Sequence, residues 1–124
     1  MINLKIVLGI ILIHWFADFV LQTDKQARGK SKNWSDLLSH TFNYSLVIGL
    51  FMCFILPISK EKVYLPTIFF LITIIAHTIT DYFTSRLNSK LWSEGKVHYF
   101  FVSIGFDQVL HYTQLFLTYY FLTK

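Results

Sequence analysis

Apolar residues fill four stretches of this chain, at about 4–22, 37–56, 65–87 and 99–122, and short polar linkers separate them. Each stretch approaches the roughly 20 residues that a helix needs to cross a bilayer. The first linker, 23–36, carries Lys25, Arg28, Lys30 and Lys32. In the second, Pro57 and Pro66 bracket Lys60, Glu61 and Lys62, and the third, 88–98, carries Lys90 and Lys96 beside Arg86. The pattern predicts one all-α domain over 1–124, an up-down four-helix transmembrane bundle. A soluble helical bundle is the plain alternative, but the second and fourth stretches are too apolar all round for surface helices of a small soluble protein. The first and third linkers with Arg86 hold seven Lys and Arg, against four (Lys5, Lys60, Lys62, Lys124) on the other side. This bias puts those linkers in the cytoplasm and both termini outside an inner or plasma membrane. The N-terminal stretch differs from a cleaved signal peptide: it has only Lys5 ahead of it, no small-residue cleavage site, and His14 and Asp18 within it.

Polar residues interrupt the stretches in a regular way. The chain reads His14-x3-Asp18, Asp36-x3-His40, His77-x3-Asp81 and Asp107-x3-His111. Residues four apart share a helix face, so each pair can aim two ligand-type groups the same way. Ionisable groups inside a membrane are costly and mark function by default. In the topology above, every aspartate lies cytoplasmic to its histidine by about 6 Å, the rise of four residues. His-x3-Asp followed by an aromatic occurs as His14–Phe19 and again as His77–Tyr82, which predicts two parallel helical-hairpin repeats. Ser31–Asp36 also resembles Ser89–Glu94, an alternative register that would pair Asp36/His40 with Glu94/His98. The place of Asp107 and His111 within an apolar stretch favours them. His98 is expected at the interface, and Asp36, near the boundary, is a candidate additional ligand.

Imidazole and carboxylate together suit Zn, Mn and Fe, and carboxylates also admit Mg. The metal ligands expected are His14, Asp18, His40, His77, Asp81, Asp107 and His111. They exceed what one tetrahedral ion needs, so two divalent ions bridged by an aspartate are expected. Gln22, Asn43 and Gln108 are candidate outer donors to these ligands. Arg28 and Lys25 could hold an anionic substrate, although basic linker residues more often only set topology. A lone buried His or an Asp–His contact is more often a hydrogen bond between helices; the shared spacing and order of the set argue for ligands. Hydrophobic residues make up 54% of the chain and the formal charge is +4. Because the basic residues sit in linkers, the charge is a topology signal and no nucleic-acid partner is expected. Cys53 alone excludes an internal disulfide and reads as a packing residue. No Gly-rich phosphate loop or Ser/Cys nucleophile motif is present, so no catalytic residue is assigned.

The chain resembles a family of small integral membrane proteins of bacteria and phages known as a domain of unknown function. The resemblance rests on His14-Trp15-Phe16-Ala17-Asp18-Phe19-Val20-Leu21-Gln22-Thr23-Asp24, Leu37-Leu38-Ser39-His40 with Tyr44, His77-x3-Asp81 and Phe106-Asp107-Gln108-x2-His111. Asp36 and His98 fall outside that pattern. More loosely, the His/Asp-bearing helices are similar to membrane-bound metal-dependent hydrolases. The first expectation is therefore a metal-dependent hydrolase acting on a phosphoester or lipid headgroup. A metal-ion or proton transporter is the second and a structural or effector subunit the third. A transporter needs polar access from both sides, yet the outer halves (6–13, 47–56, 68–75, 116–121) are almost wholly apolar. Membrane lipid, a second copy of the chain or a soluble cytoplasmic protein are the expected partners.

Overall fold

Asn3 opens the first helix by accepting a hydrogen bond from the backbone N–H of Ile6 at 3.0 Å. In the computed structural model, which describes residues 3–124, every regular element is helical, with no strand among the described residues. Helix α1 (Leu4–Trp15) passes without a break into a π-helical turn, Phe16–Val20. Then follow α2 (Asp24–Gly29), α3 (Trp34–Ile55), α4 (Leu65–Ser93) and α5 (Val97–Thr123). Helices α3 and α4 pack along each other, as do α4 and α5, and α1 closes the ring against α3 and α5.

Three elements differ from expectation, each for a local reason. The first linker is not all loop. Thr23 Oγ1 accepts from the Gln26 N–H and Gln26 Oε1 accepts in turn from the Thr23 N–H, a capping box that starts α2. Helix α4 runs on to Ser93 because no Pro or Gly interrupts it before Gly95, whose φ of 69° makes the turn into α5. Lys96 and Glu94 pair across that turn at 2.6 Å, and this contact holds the Glu94 carboxyl below its usual range. The π turn is the third difference. The Leu21 N–H reaches back five residues to the Phe16 carbonyl, and the wide turn brings Ala17 and Asp18 into the interior with His14.

The two halves are consequently not copies of one hairpin. The first is broken by the π turn and α2, and the second turns in three residues. Ser31 and Ser89, equivalent in the matching hexapeptides, donate and accept one hydrogen bond between them at 2.8 Å, yet Ser31 follows α2 while Ser89 lies inside α4.

Two helices, α3 and α4, are long and apolar enough to cross a membrane, where four spans were expected. The π turn cuts α1 to 12 residues, and Asp107, Gln108, His111 and Gln114 dilute the apolar character of α5. The exterior is nonetheless apolar: Leu12, Phe83, Phe106 and Phe121 stand exposed, and Phe54 is 87% exposed. Cys53, expected to pack, lies on this outer face with Sγ against the Gly49 carbonyl, because it sits off the buried stripe of α3. The interior is divided along its length. Ile10, Ile48, Met52, Phe69, Leu115 and Tyr119 fill one end, and His and Asp side chains fill the other. One polar bridge crosses the apolar end, where Gln114 donates to Thr73 and Thr118.

The small helix α2 is dovetailed onto α3 at Gly29, where an added Cβ would overlap the Asp36 carboxylate. Gly29→Ala is expected to destabilise the fold by about 1–3 kcal/mol through overpacking. Gly105→Ala, where an added Cβ would meet nothing, is expected to be neutral or mildly stabilising. Thermal unfolding of both variants in detergent checks the contrast.

Candidate metal centre

Helices α4 and α5 each deliver two ligand-type residues to the polar end of the ring by i, i+4 spacing, and α3 and the π turn deliver one each. Asp18 comes from the π turn, His40 from α3, His77 and Asp81 from α4, and Asp107 and His111 from α5. His40 Nε2 lies 3.1 Å from Asp18 Oδ1 and 3.3 Å from Asp81 Oδ2. His77 Nε2 lies 3.5 Å from Asp18 Oδ1 and 3.6 Å from Asp81 Oδ2. His111 Nε2 is 3.2 Å from both Asp81 Oδ1 and Asp107 Oδ2, without hydrogen-bond alignment to either. All six side chains are buried. Two groups have ligand atoms within 4.8 Å of one another: Asp18, His40, His77 and Asp81, and Asp18, Asp107 and His111. Asp18 belongs to both.

His14 falls in neither group. Its Nδ1 lies 2.7 Å from the Tyr44 hydroxyl and its Nε2 2.7 Å from Gln108 Oε1, with Asp18 Oδ2 further off at 3.8 Å. Gln108 in turn donates to Asp107 Oδ2 at 3.1 Å, and Thr84 donates to Asp107 Oδ1 at 2.6 Å. His14 thus props a chain of hydrogen bonds that orients Asp107, the kind of support outer donors give to ligands. Tyr44 completes it from a second direction: its ring stacks on His77 at 3.8 Å, and His77 stacks on His111 at 4.2 Å. Among the expected outer donors, Gln108 is in contact and Gln22 lines the cavity below the site, but Asn43 stands exposed. One residue turns a helix by about 100°, so Asn43, next to Tyr44, falls outside the buried stripe of α3 that His40, Thr41, Tyr44 and Ile48 form.

Asp36 is also elsewhere. It caps α3 reciprocally with Asn33, at 2.8 and 2.9 Å, and backs Gly29. His98 is exposed at the start of α5. Of the two basic residues expected to hold an anion, Arg28 lines the cavity, and Lys25 is turned outward with its side chain 83% exposed, near Asp36. Sequence reasoning missed Lys30. Its Nζ donates to Asp81 Oδ2 at 2.9 Å. Burial would push this ammonium's pKa down, but Asp81 and Asp18 more than offset that and hold it above the usual value. The signal was the spacing Gln26, Gly29, Lys30, one face of a helix inside a segment that reads as linker.

The donor set fits a cation. Three buried carboxylates face one ammonium, which leaves two negative charges for the histidines or an ion to balance. Uncompensated, such burial is prohibitively costly. His40 Nε2 and His77 Nε2 face each other at 3.3 Å. Two N–H groups would collide there, so at least one nitrogen presents a lone pair to the centre. Neutral imidazole and carboxylate are the ligands that Zn, Mn and Fe take.

Fold and site define a class: an all-helical protein with a buried His/Asp cluster that could hold a metal ion. The chain belongs to DUF3307, a family described as a protein of unknown function, whose model matches residues 6–124. Comparison with curated proteins and with solved structures returned no match.

Lys30→Met should leave Asp81 without its only lysine partner and destabilise the metal-free protein by about 3–5 kcal/mol, the usual cost of breaking a buried pair. Adding Zn or Mn is expected to restore most of that. Thermal unfolding of the variant with chelator and with metal gives the comparison.

Proposed function

We propose that this chain is a multi-pass membrane protein whose intramembrane His/Asp cluster binds two divalent ions and hydrolyses a phosphoester at the basic end of the bundle. One observation carries the reading: two sets of converging ligand atoms share Asp18, as a bridging carboxylate between two ions would. The lengths of α3 and α4 support membrane insertion, and so does an apolar exterior larger than a soluble monomer tolerates. The basic linkers then face the cytoplasm and the termini the opposite side.

Bound divalent ions would supply the Lewis acidity that activates water and offsets charge developing on a phosphoryl group. The chain's own residues supply the rest. His14, Gln108 and Thr84 fix the Asp107 carboxylate. The Tyr44–His77–His111 stack fixes two imidazole planes. Asp18 and Asp107 line the cavity while no histidine does, so the carboxylates form the side of the site that a substrate meets. The apolar end of the ring, from Ile10 to Tyr119, closes the other side. A path through the bundle would have to cross it, and that favours hydrolysis over transport.

Elemental mass spectrometry of detergent-purified protein tests the reading beside His77→Ala/Asp107→Ala. The parent is expected to carry two transition-metal ions per chain and the variant to lose them, with helix content by circular dichroism unchanged. A parent that stays metal-free after reconstitution with Zn, Mn and Fe overturns it. Phosphoesters are then screened on the metal-loaded parent.

A further inference from the structure

A cavity of about 740 Å³ opens beside the metal centre, between the π turn and α2 on one side and α4 and the start of α5 on the other. Its walls differ in chemistry. Arg28, Lys30 and Lys32 bring three cations from the α2 side. Trp92, Phe100 and Phe101 form an aromatic wall opposite. Asp18 and Asp107 lie at its inner end. Three buried polar atoms without partners, Gln22 Oε1, Ser85 Oγ and Asn88 Oδ1, belong to residues that line this one cavity. Unpaired buried polar atoms are costly. The Ser85 hydroxyl can donate to a phosphate oxygen, whereas the Gln22 and Asn88 amide oxygens only accept and need a donor such as water or a protonated phosphate oxygen. The cavity is also open sideways. The start of α5 does not pack on the π turn, and Phe19 and Phe101 at the gap are 47% and 62% exposed. In a bilayer that gap faces acyl chains.

We infer that the cavity is a binding site for a lipid-borne phosphate. The phosphate sits between Arg28 and Lys32, beside Lys30, whose Nζ is held by Asp81, and the chain leaves through the gap between Phe19 and Phe101. A free phosphate would use the cations but not the aromatic wall or the lateral gap. A neutral lipid would use the wall but leave the cations unanswered. Arginine and lysine on a phosphate form charge-assisted hydrogen bonds, the strong kind. The inference rests on the metal-centre reading in one respect: it makes the bound phosphate the group presented to Asp18 and Asp107.

The test uses Trp92 as reporter, in a Trp15→Phe/Trp34→Phe background in phosphatidylcholine nanodiscs. Phosphatidic acid with brominated chains should quench Trp92 at lower mole fraction than brominated phosphatidylcholine does, by about tenfold. Arg28→Gln/Lys32→Gln should abolish that preference. Inorganic phosphate should compete poorly. Equal quenching by the two lipids in the parent overturns the inference, and so does a preference that survives the double substitution. Full competition by inorganic phosphate also overturns it, in favour of a soluble phosphoester. Metal content of the same samples keeps the two readings apart. Lipid preference in a metal-free parent supports this site and sinks the hydrolase, whereas bound metal without preference sinks this site alone.

Discussion

Three carboxylates buried in a bundle with an apolar exterior must be neutralised, and the rest of the structure is arranged around that requirement. Charge so enclosed cannot be left to solvent, because the helix faces that would reach water carry Leu, Ile and Phe instead. The compensation is internal: three imidazoles at close range, one ammonium carried in by α2, and room for a cation among them. Remove that compensation and the polar end of the ring is a cost that the apolar end must absorb.

The supporting layer follows from the same need for order. Converging ligands repel or misalign unless each is held from behind. Asp107 is held by Thr84 and Gln108, Gln108 by His14, and His14 by Tyr44. Tyr44 returns to the centre through its ring, stacked on His77. Helix α4 therefore contributes His77 and Asp81 at the centre and Thr84 behind Asp107 of α5, α3 contributes His40 at the centre and Tyr44 behind His14 and His77, and α1 contributes His14 behind Gln108. Cooperation of this kind makes the cluster a single unit, in which pairwise contributions do not add.

Much of this was legible in the sequence wherever the relation is local. The i, i+4 spacing placed His77 with Asp81 and Asp107 with His111 on common faces, and the apolar runs located α1, α3, α4 and α5. The family pattern was also visible in the chain. What depends on rotation between helices was not legible. His14 has the same spacing to Asp18 as His77 to Asp81, yet its nitrogens meet Tyr44 and Gln108 from other helices. Asp36 shares spacing with His40, but it lies in the first turn of α3, where the orphan N–H groups and Asn33 claim it. Lys30 sat in a segment that looked like a loop. Its capping box, Thr23-x-x-Gln26, was readable and would have revealed α2. The end of α4 was misjudged for a different reason. An apolar run measures how much of a helix can sit in lipid, whereas the helix itself ends only where Gly95 lets the backbone turn.

The π turn at Phe16–Val20 sets how this chain tolerates change in length. It holds one more residue than an ordinary turn, and the helix on either side keeps its face: Ile10 and His14 on α1 point inward, and so does Asp18. Deleting one residue there would close the turn into an ordinary α-helix and leave the upstream face where it is, and the loss would fall on the placement of Ala17 and Asp18. Deleting one residue from the regular turns of α1 would instead swing everything upstream by about 100°. A shortening in the exposed chain between α3 and α4 shifts no helix face against the centre. The wide turn is thus slack held between the apolar end and the charged one, and the regular turns beside it are the ones that cannot lose a residue.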